Sequence, residues 1–201
     1  EELFKALGMQ YIPPELREDS GEIEAAQKMS VPDLIELTDI KGDLHMHSDY
    51  TDGAASIEEM AVAARNLGYK YIAITDHSKS TKVAGGLTEK EILKQMDEID
   101  RINKKMSGFK ILKGSEVDIL KDGSLDFDDE LLSRLDIVLA SVHSNFSMAR
   151  DEMTKRIIAA MQNKFVSIIG HPTGRLLGRR LPFEIDMGKM ISEASNTGTV
   201  L

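Results

Sequence analysis

Apolar and polar positions along the chain alternate between two periods. Five short runs have strand character: residues 41–47 (KGDLHMH), 71–77 (YIAITDH), 109–116 (FKILKGSE), 136–143 (DIVLASVH) and 166–171 (VSIIGH). Each is rich in apolar or β-branched residues and of strand length, which predicts buried strands. Between these runs the period becomes helical. Ser56 followed by Glu59 forms a capping-box start, and Ile57, Met60, Ala61, Ala64 and Leu67 then recur at helical spacing up to Gly68. Thr88 and Glu91 repeat the signature ahead of Ile92, Met96, Ile99, Ile102 and Met106, with Gly108 closing the segment. Residues 149–162 and 185–194 predict two more amphipathic helices. Strand, helix and next strand follow within about 30 residues, the length of a βαβ unit. The pattern predicts an α/β domain with a parallel sheet that begins near Lys41.

Ahead of it the pattern weakens. Residues 1–12 carry a short helical pattern, Pro13 and Pro14 impose an extended stretch, and residues 15–27 are charged and polar around Gly21. This predicts a solvated acidic connector or the tail of a preceding domain, with a short helix or turn over 32–37. At the other end, Thr199-Val200-Leu201 reads as the opening of a further strand, so a fragment is expected. The 201 residues suffice for one domain with a sizeable core, or a slightly short α/β barrel.

Charge refines the picture. The formal net charge is −9, yet residues 1–40 hold 10 acids against 3 bases, which leaves −2 for 41–201. Such a balance argues against a nucleic-acid binder that works by bulk charge and leaves room for a local basic groove. There is no cysteine, so disulfides and thiolate ligands are excluded. The acidic opening and strand-sized apolar runs resemble neither a signal peptide nor a membrane span, so a cytoplasmic protein with no membrane partner is expected.

The candidate chemistry lies at the strand ends. His45 and His47 are two apart, and side chains two apart on a strand share a face. Asp52 follows in a turn-forming DYTDG stretch. The other three histidines of the chain, His77, His143 and His171, each end a predicted strand, and Glu116 ends a fourth. Ligands and catalytic groups in parallel α/β folds collect at the carboxyl ends of strands. Five histidines and a carboxylate so placed predict a polynuclear metal site. Imidazole and carboxylate without sulfur suit manganese, zinc or iron. Asp76 alternates away from His77, so a supporting or strand-end capping role and ligation are equally open for it. Arg175 is a candidate phosphate ligand through a bidentate guanidinium, and Lys79 is a weaker one. Arg179 and Arg180 continue the basic stretch TGRLLGRRLP, which reads equally as a solvated loop.

The motifs DLHMHSDYTDG, ITDHS, GSEVDI, SVHSNF and GHPTGR resemble, in order, those of the polymerase and histidinol phosphatase (PHP) metallophosphoesterase superfamily. The lead-in EELFKALGMQYIPPELREDSGEIEAAQ resembles the segment that joins polymerase core to PHP domain in family X DNA polymerases. The resemblance implies a distorted, seven-stranded TIM-like barrel, truncated here at its C-terminal end. It also implies residues 1–40 as the tail of a linked upstream polymerase domain, with 41–201 as the PHP domain. It assigns His45, His47 and Glu116 to a first divalent cation, Glu116, His143 and His171 to a second, and Asp52 and His77 to a third. Glu116 and His143 are then the residues on which catalysis turns. Two to three ions, Mn2+ or Zn2+ with iron as an alternative, are implied. The family's Asp-x-His pair has no counterpart here, because no histidine follows His171. The implied activity is hydrolysis of DNA phosphodiesters, a 3′–5′ exonuclease acting on a single strand or 3′ end. A small-molecule phosphatase and a catalytically idle module are the alternatives.

Overall fold

The chain, described over residues 1–201 in a computed structural model, gathers into two units, Glu1–Ile40 and Lys41–Leu201. In the first, helices α1 (Glu2–Ala6) and α2 (Glu22–Gln27) surround a small cluster of Ile12, Ala26 and Val31. Residues 15–27 are therefore not a solvated connector throughout. Ala26 is fully buried on α2, and the Gln10 side chain braces residue 31 by accepting from the Val31 N–H at 2.9 Å. The charged positions concealed this because a six-residue helix has too few turns to display a period.

In the second unit the predicted strands form and pair in chain order. Strands β1 (Gly42–Met46), β2 (Tyr71–Ile74), β3 (Lys110–Asp118), β4 (Ile137–Ser141) and β5 (Ile168–Ile169) make one sheet, and every pairing is parallel. Unreversed order is the winding of a barrel, whereas an open doubly wound sheet reverses at a switch point. The result is an α/β fold whose five strands curl into a half-barrel. Val200 lies parallel beside Ile168, with the Ile169 N–H donating to the Val200 carbonyl at 2.9 Å. The predicted strand opening at 199–201 is thus seated next to β5.

Helices α3 (Ile57–Asn66), α4 (Glu89–Asn103), α5 (Asp129–Leu132), α6 (Arg150–Met161) and α7 (Met187–Thr197) lie between and after the strands. The Ser56–Glu59 and Thr88–Glu91 capping boxes both form, satisfying the first amides of α3 and α4. The apolar faces of these two helices meet the first strands in a cluster of Ile57, Ala61, Ala64, Ile72, Ile74, Ile99, Ile102, Phe109 and Ile111. A second cluster packs α6 and α7 on β3, β4 and β5. The four-residue α5 is too short for periodicity to reveal, although Asp128 caps it by accepting from the Leu131 N–H at 2.9 Å. No helix is long and apolar enough to cross a membrane.

One polar side chain is built into this packing. Arg156 on α6 is 2% exposed and donates to the carbonyls of Ile119, Leu120 (2.9 Å) and Ser144 (2.8 Å), in the loops that leave β3 and β4. Removing a donor that serves several buried carbonyls costs the desolvation of each. Arg156→Met is expected to destabilise the fold by on the order of 3 kcal/mol. At this chain length that corresponds to a fall of about 6–12 °C in thermal midpoint, measurable by circular dichroism.

Candidate metal centre

The carboxyl ends of the five strands deliver every histidine of the chain to one carboxylate. Glu116 lies near the end of β3, 1% exposed, with a Cα bridge to His77 on the neighbouring strand path. Its Oε2 is 3.3 Å from His45 Nε2, 3.4 Å from His47 Nε2 and 3.1 Å from His77 Nδ1. Its Oε1 is 3.2 Å from His143 Nε2 and 2.9 Å from His171 Nε2. Asp52 closes the group on one side, 3.4 Å from His47 Nδ1 and 3.6 Å from His77 Nε2. All seven sequence-predicted candidates therefore converge. Donor atoms of six of the seven form three overlapping compact sets, His45/His47/Glu116, His47/Asp52/His77 and His77/Glu116/His143, each within 4.8 Å, while His171 joins the group through Glu116 Oε1.

The local backbone explains the convergence. His45 is on β1 and His47 immediately follows it, with ring centroids 5.2 Å apart. The chain then reverses so tightly that a side chain at Gly53 would run into the carbonyls of His47 and Ser48. Asp76 holds this turn from behind: its carboxylate accepts from the Ser48 N–H (2.9 Å), the Ser48 hydroxyl (2.5 Å), the Thr51 hydroxyl and the Gln95 amide (2.6 Å). Asp76 is fully buried, and these four bonds to Ser48, Thr51 and Gln95 decide for the supporting role of the two that strand alternation left open. His171 has φ +28°, a left-handed conformation that L residues rarely adopt.

Sequence reasoning passed over Asp118. It is 5% exposed, two residues beyond Glu116 on β3, and lies 2.7 Å from His143 Nδ1 and 2.7 Å from the Thr81 hydroxyl. A carboxylate on Nδ1 assigns the proton to that atom and leaves Nε2 facing Glu116. The available signal was the spacing Glu-x-Asp on a strand, which places both acids on one face. The basic candidates are placed differently. Lys79 is paired with Glu89 and lies near the Phe127 ring, and Arg175 is exposed without an ion pair. Instead Lys82 and Arg180 line the cavity of about 450 Å3 that adjoins Asp52, His77, Asp118 and His143.

The site fits cations on two observations. Two buried imidazole nitrogens, His47 Nδ1 and His77 Nδ1, have close carboxylate neighbours but no hydrogen bond of acceptable geometry. The donor set is five imidazoles and two carboxylates without sulfur, which suits zinc, manganese or iron. Electrostatics agree. Burial pushes the Glu116 carboxyl up, but hydrogen bonds from His143, His171 and His45 outweigh it and hold the group ionised far below the usual range. Burial lowers His77 below its ordinary value, which favours the neutral ligand form. Burial pulls His143 down as well, but its bonds to Asp118 and Glu116 prevail and raise it to about 9.

Comparison with known proteins places this geometry. Residues 43–180 match the family model described as PHP domain. The chain is 50% identical over 200 residues to the DNA polymerase/3′-5′ exonuclease PolX of Bacillus subtilis (strain 168), covering all of this chain and 35% of that protein. It is 35% identical over 161 residues to a probable phosphatase of Thermoanaerobacter sp. (strain X514), covering 78% of this chain and 61% of the relative. The chain thus spans about a third to three-fifths of the length of these curated relatives. Among solved structures, it resembles the histidinol phosphate phosphatase of Lactococcus lactis subsp. lactis Il1403, complexed with zinc, L-histidinol and phosphate. That likeness has a TM-score of 0.51 at 17% identity, covers 80% of this chain and 72% of the other, and speaks to the fold.

Two outcomes follow for metal loading. A raised His143 pKa means that its proton stabilises the metal-free fold fully below about 6.5 and that this contribution is lost as pH rises through about 9. A cation must displace that proton, so affinity should rise by about tenfold per pH unit between 7 and 9. Titration calorimetry in buffers of different ionisation enthalpy would register the released proton. Asp118→Asn should weaken binding by about 10–100-fold while the seven candidates remain intact, as read by equilibrium dialysis with manganese.

Proposed function

The chain belongs to the PHP domain family, and from that premise we propose that it is a divalent-metal-dependent phosphoesterase domain that hydrolyses DNA. One observation carries the reading: the two oxygens of a single buried carboxylate face different histidines, Oε2 toward His45, His47 and His77 and Oε1 toward His143 and His171. A carboxylate so divided suits two cations. His45, His47 and Glu116 would hold the first, Glu116, His143 and His171 the second, and Asp52 with His77 a third. Manganese, zinc and iron all fit the donors. When bound, the ions supply Lewis acidity and an activated water for displacement at phosphorus.

The remaining work falls to the chain's own groups. Glu116 keeps its charge despite burial and so sets the spacing of the histidines around it. Asp118 retains the proton of His143 on Nδ1 and aims Nε2 inward. Lys82 and Arg180, the two cations on the cavity wall, draw in a substrate phosphate and orient it. Similarity along the full chain to a polymerase/exonuclease supports DNA as substrate, a 3′–5′ exonuclease role, and residues 1–40 as the tail of a linked polymerase domain. Relatives named as probable phosphatases keep a small phosphomonoester as the second reading.

Metal analysis and paired assays separate these. Manganese- or zinc-loaded protein should shorten a labelled single strand from its 3′ end and act poorly on p-nitrophenyl phosphate. The reverse preference would establish the second reading, and inactivity on both an idle module. Glu116→Ala should lose bound metal and reduce the rate by more than about 10²-fold. Asp52→Ala, which removes a half-exposed carboxylate from one ion set, should retain more of both. Equal metal content and equal rates in the two variants would contradict the central role of Glu116.

A further inference from the structure

The stretch TGRLLGRRLP is not a loose loop. The Leu176 N–H donates to the Arg180 carbonyl at 3.0 Å and the Arg180 N–H to the Leu176 carbonyl at 2.9 Å, which closes a tight hairpin turned by Gly178 at φ +71°. Its base is fixed by the Phe183 N–H donating to the Thr173 carbonyl at 3.0 Å. Arg180 is locked onto this base: its Nε donates to the Gly174 carbonyl at 2.8 Å, and its guanidinium lies 3.8 Å from the centre of the Phe146 ring.

The hairpin's surface is unusual for a chain of net charge −9. Residues 172–183 hold three arginines and no acid. Arg175 and Arg179 are exposed without an ion pair, while Leu177 and Leu181 are 79% and 84% exposed. The one-turn segment Lys82–Ala84 lines the same cavity as Arg180, with Lys82 exposed and Val83 wholly so. Cations interleaved with exposed apolar groups, on a hairpin whose Arg180 shares a cavity wall with Lys82, Val83, Asp52, His77 and His143, match what a single-stranded nucleic acid presents. Its backbone carries one charge per nucleotide, and its bases carry apolar faces. A preformed hairpin also loses little conformational freedom on binding.

We propose that the hairpin of residues 174–181, together with the Lys82–Ala84 turn that shares its cavity, grips the nucleotides of a single strand that lead into the metal centre. Arg175 and Arg179 contact successive phosphates, and Leu177, Leu181 and Val83 contact bases. This rests on the phosphoesterase reading above and names the part of the substrate that lies outside the reacting bond.

The probe is a fluorescein-labelled 12-residue oligothymidylate, with binding read by anisotropy in EDTA so that it is separate from hydrolysis. The double variant Arg175→Gln/Arg179→Gln should bind about tenfold more weakly at 0.1 M salt. Its slope of log affinity against log salt should fall by about 1.4, at about 0.7 per phosphate on a single strand. The comparison variant Arg65→Gln/Arg134→Gln removes the same charge at positions leading into β2 and β4, the opposite end of the sheet, and should bind as the parent does. Parent-like binding by the hairpin variant, or equal losses in the two double variants, would overturn the proposal. So would arginine-dependent binding to phosphatidylserine vesicles without arginine-dependent oligonucleotide binding. If the metal-loaded parent cleaves no DNA yet binds it through Arg175 and Arg179, the grip stands and the hydrolytic reading fails.

Discussion

A carboxylate taken out of water must be matched by polar groups, because an unpaired buried charge is too costly for a domain whose whole stability is a few kcal/mol. Glu116 meets that condition with five imidazoles between 2.9 and 3.4 Å from its oxygens. No single loop can supply five rings to one point. Four strand ends can, around a fifth that carries the carboxylate, provided that all five point the same way and stop at the same level. Parallel pairing in chain order, curled toward a barrel, meets that requirement, since adjacent carboxyl ends then crowd a common mouth. The fold and the site are thus one constraint seen from two sides. The sheet brings the rings together, and the shared carboxylate makes their crowding tolerable.

The same logic extends one layer outward. Imidazoles aim correctly only if their own backbones are held, and three buried polar groups do that holding. Asp76 gathers the turn after β1, Asp118 fixes His143, and Arg156 binds the carbonyls of the loops after β3 and β4. Each is almost fully buried. Each also joins segments far apart in sequence, so the loops behave as extensions of the strands and not as flexible connections.

This explains what could be read from the sequence. The strands, the capped helices and the seven converging side chains were legible because period, capping chemistry and strand-end position are local properties. Asp118 was not, since the Glu-x-Asp spacing puts it on the face of Glu116 but its role depends on a histidine 25 residues later. Lys79 looked suitable beside His77, yet its partner Glu89 opens α4 and draws it aside. Lys82 gave no signal at all, because only folding brings its turn to the cavity that Arg180 also lines. The cluster in residues 1–40 was hidden by charge density, which reports the solvated face and is silent about three buried residues.

His171 shows how the two layers meet. A non-glycine residue at positive φ costs on the order of 1–3 kcal/mol and persists only where its surroundings fix it. On one side, the preceding Gly170 packs so closely on the Ser141 and Leu139 side chains that a Cβ there would have to displace them. On the other, the His171 carbonyl accepts from the Gly174 N–H at 2.8 Å, the first bond of the turn that leads into the arginine hairpin. A relaxed backbone at this point would swing the ring away from Glu116 Oε1 and tilt the hairpin with it. The strain therefore links the group that completes the buried cluster to the loop on the cleft's rim.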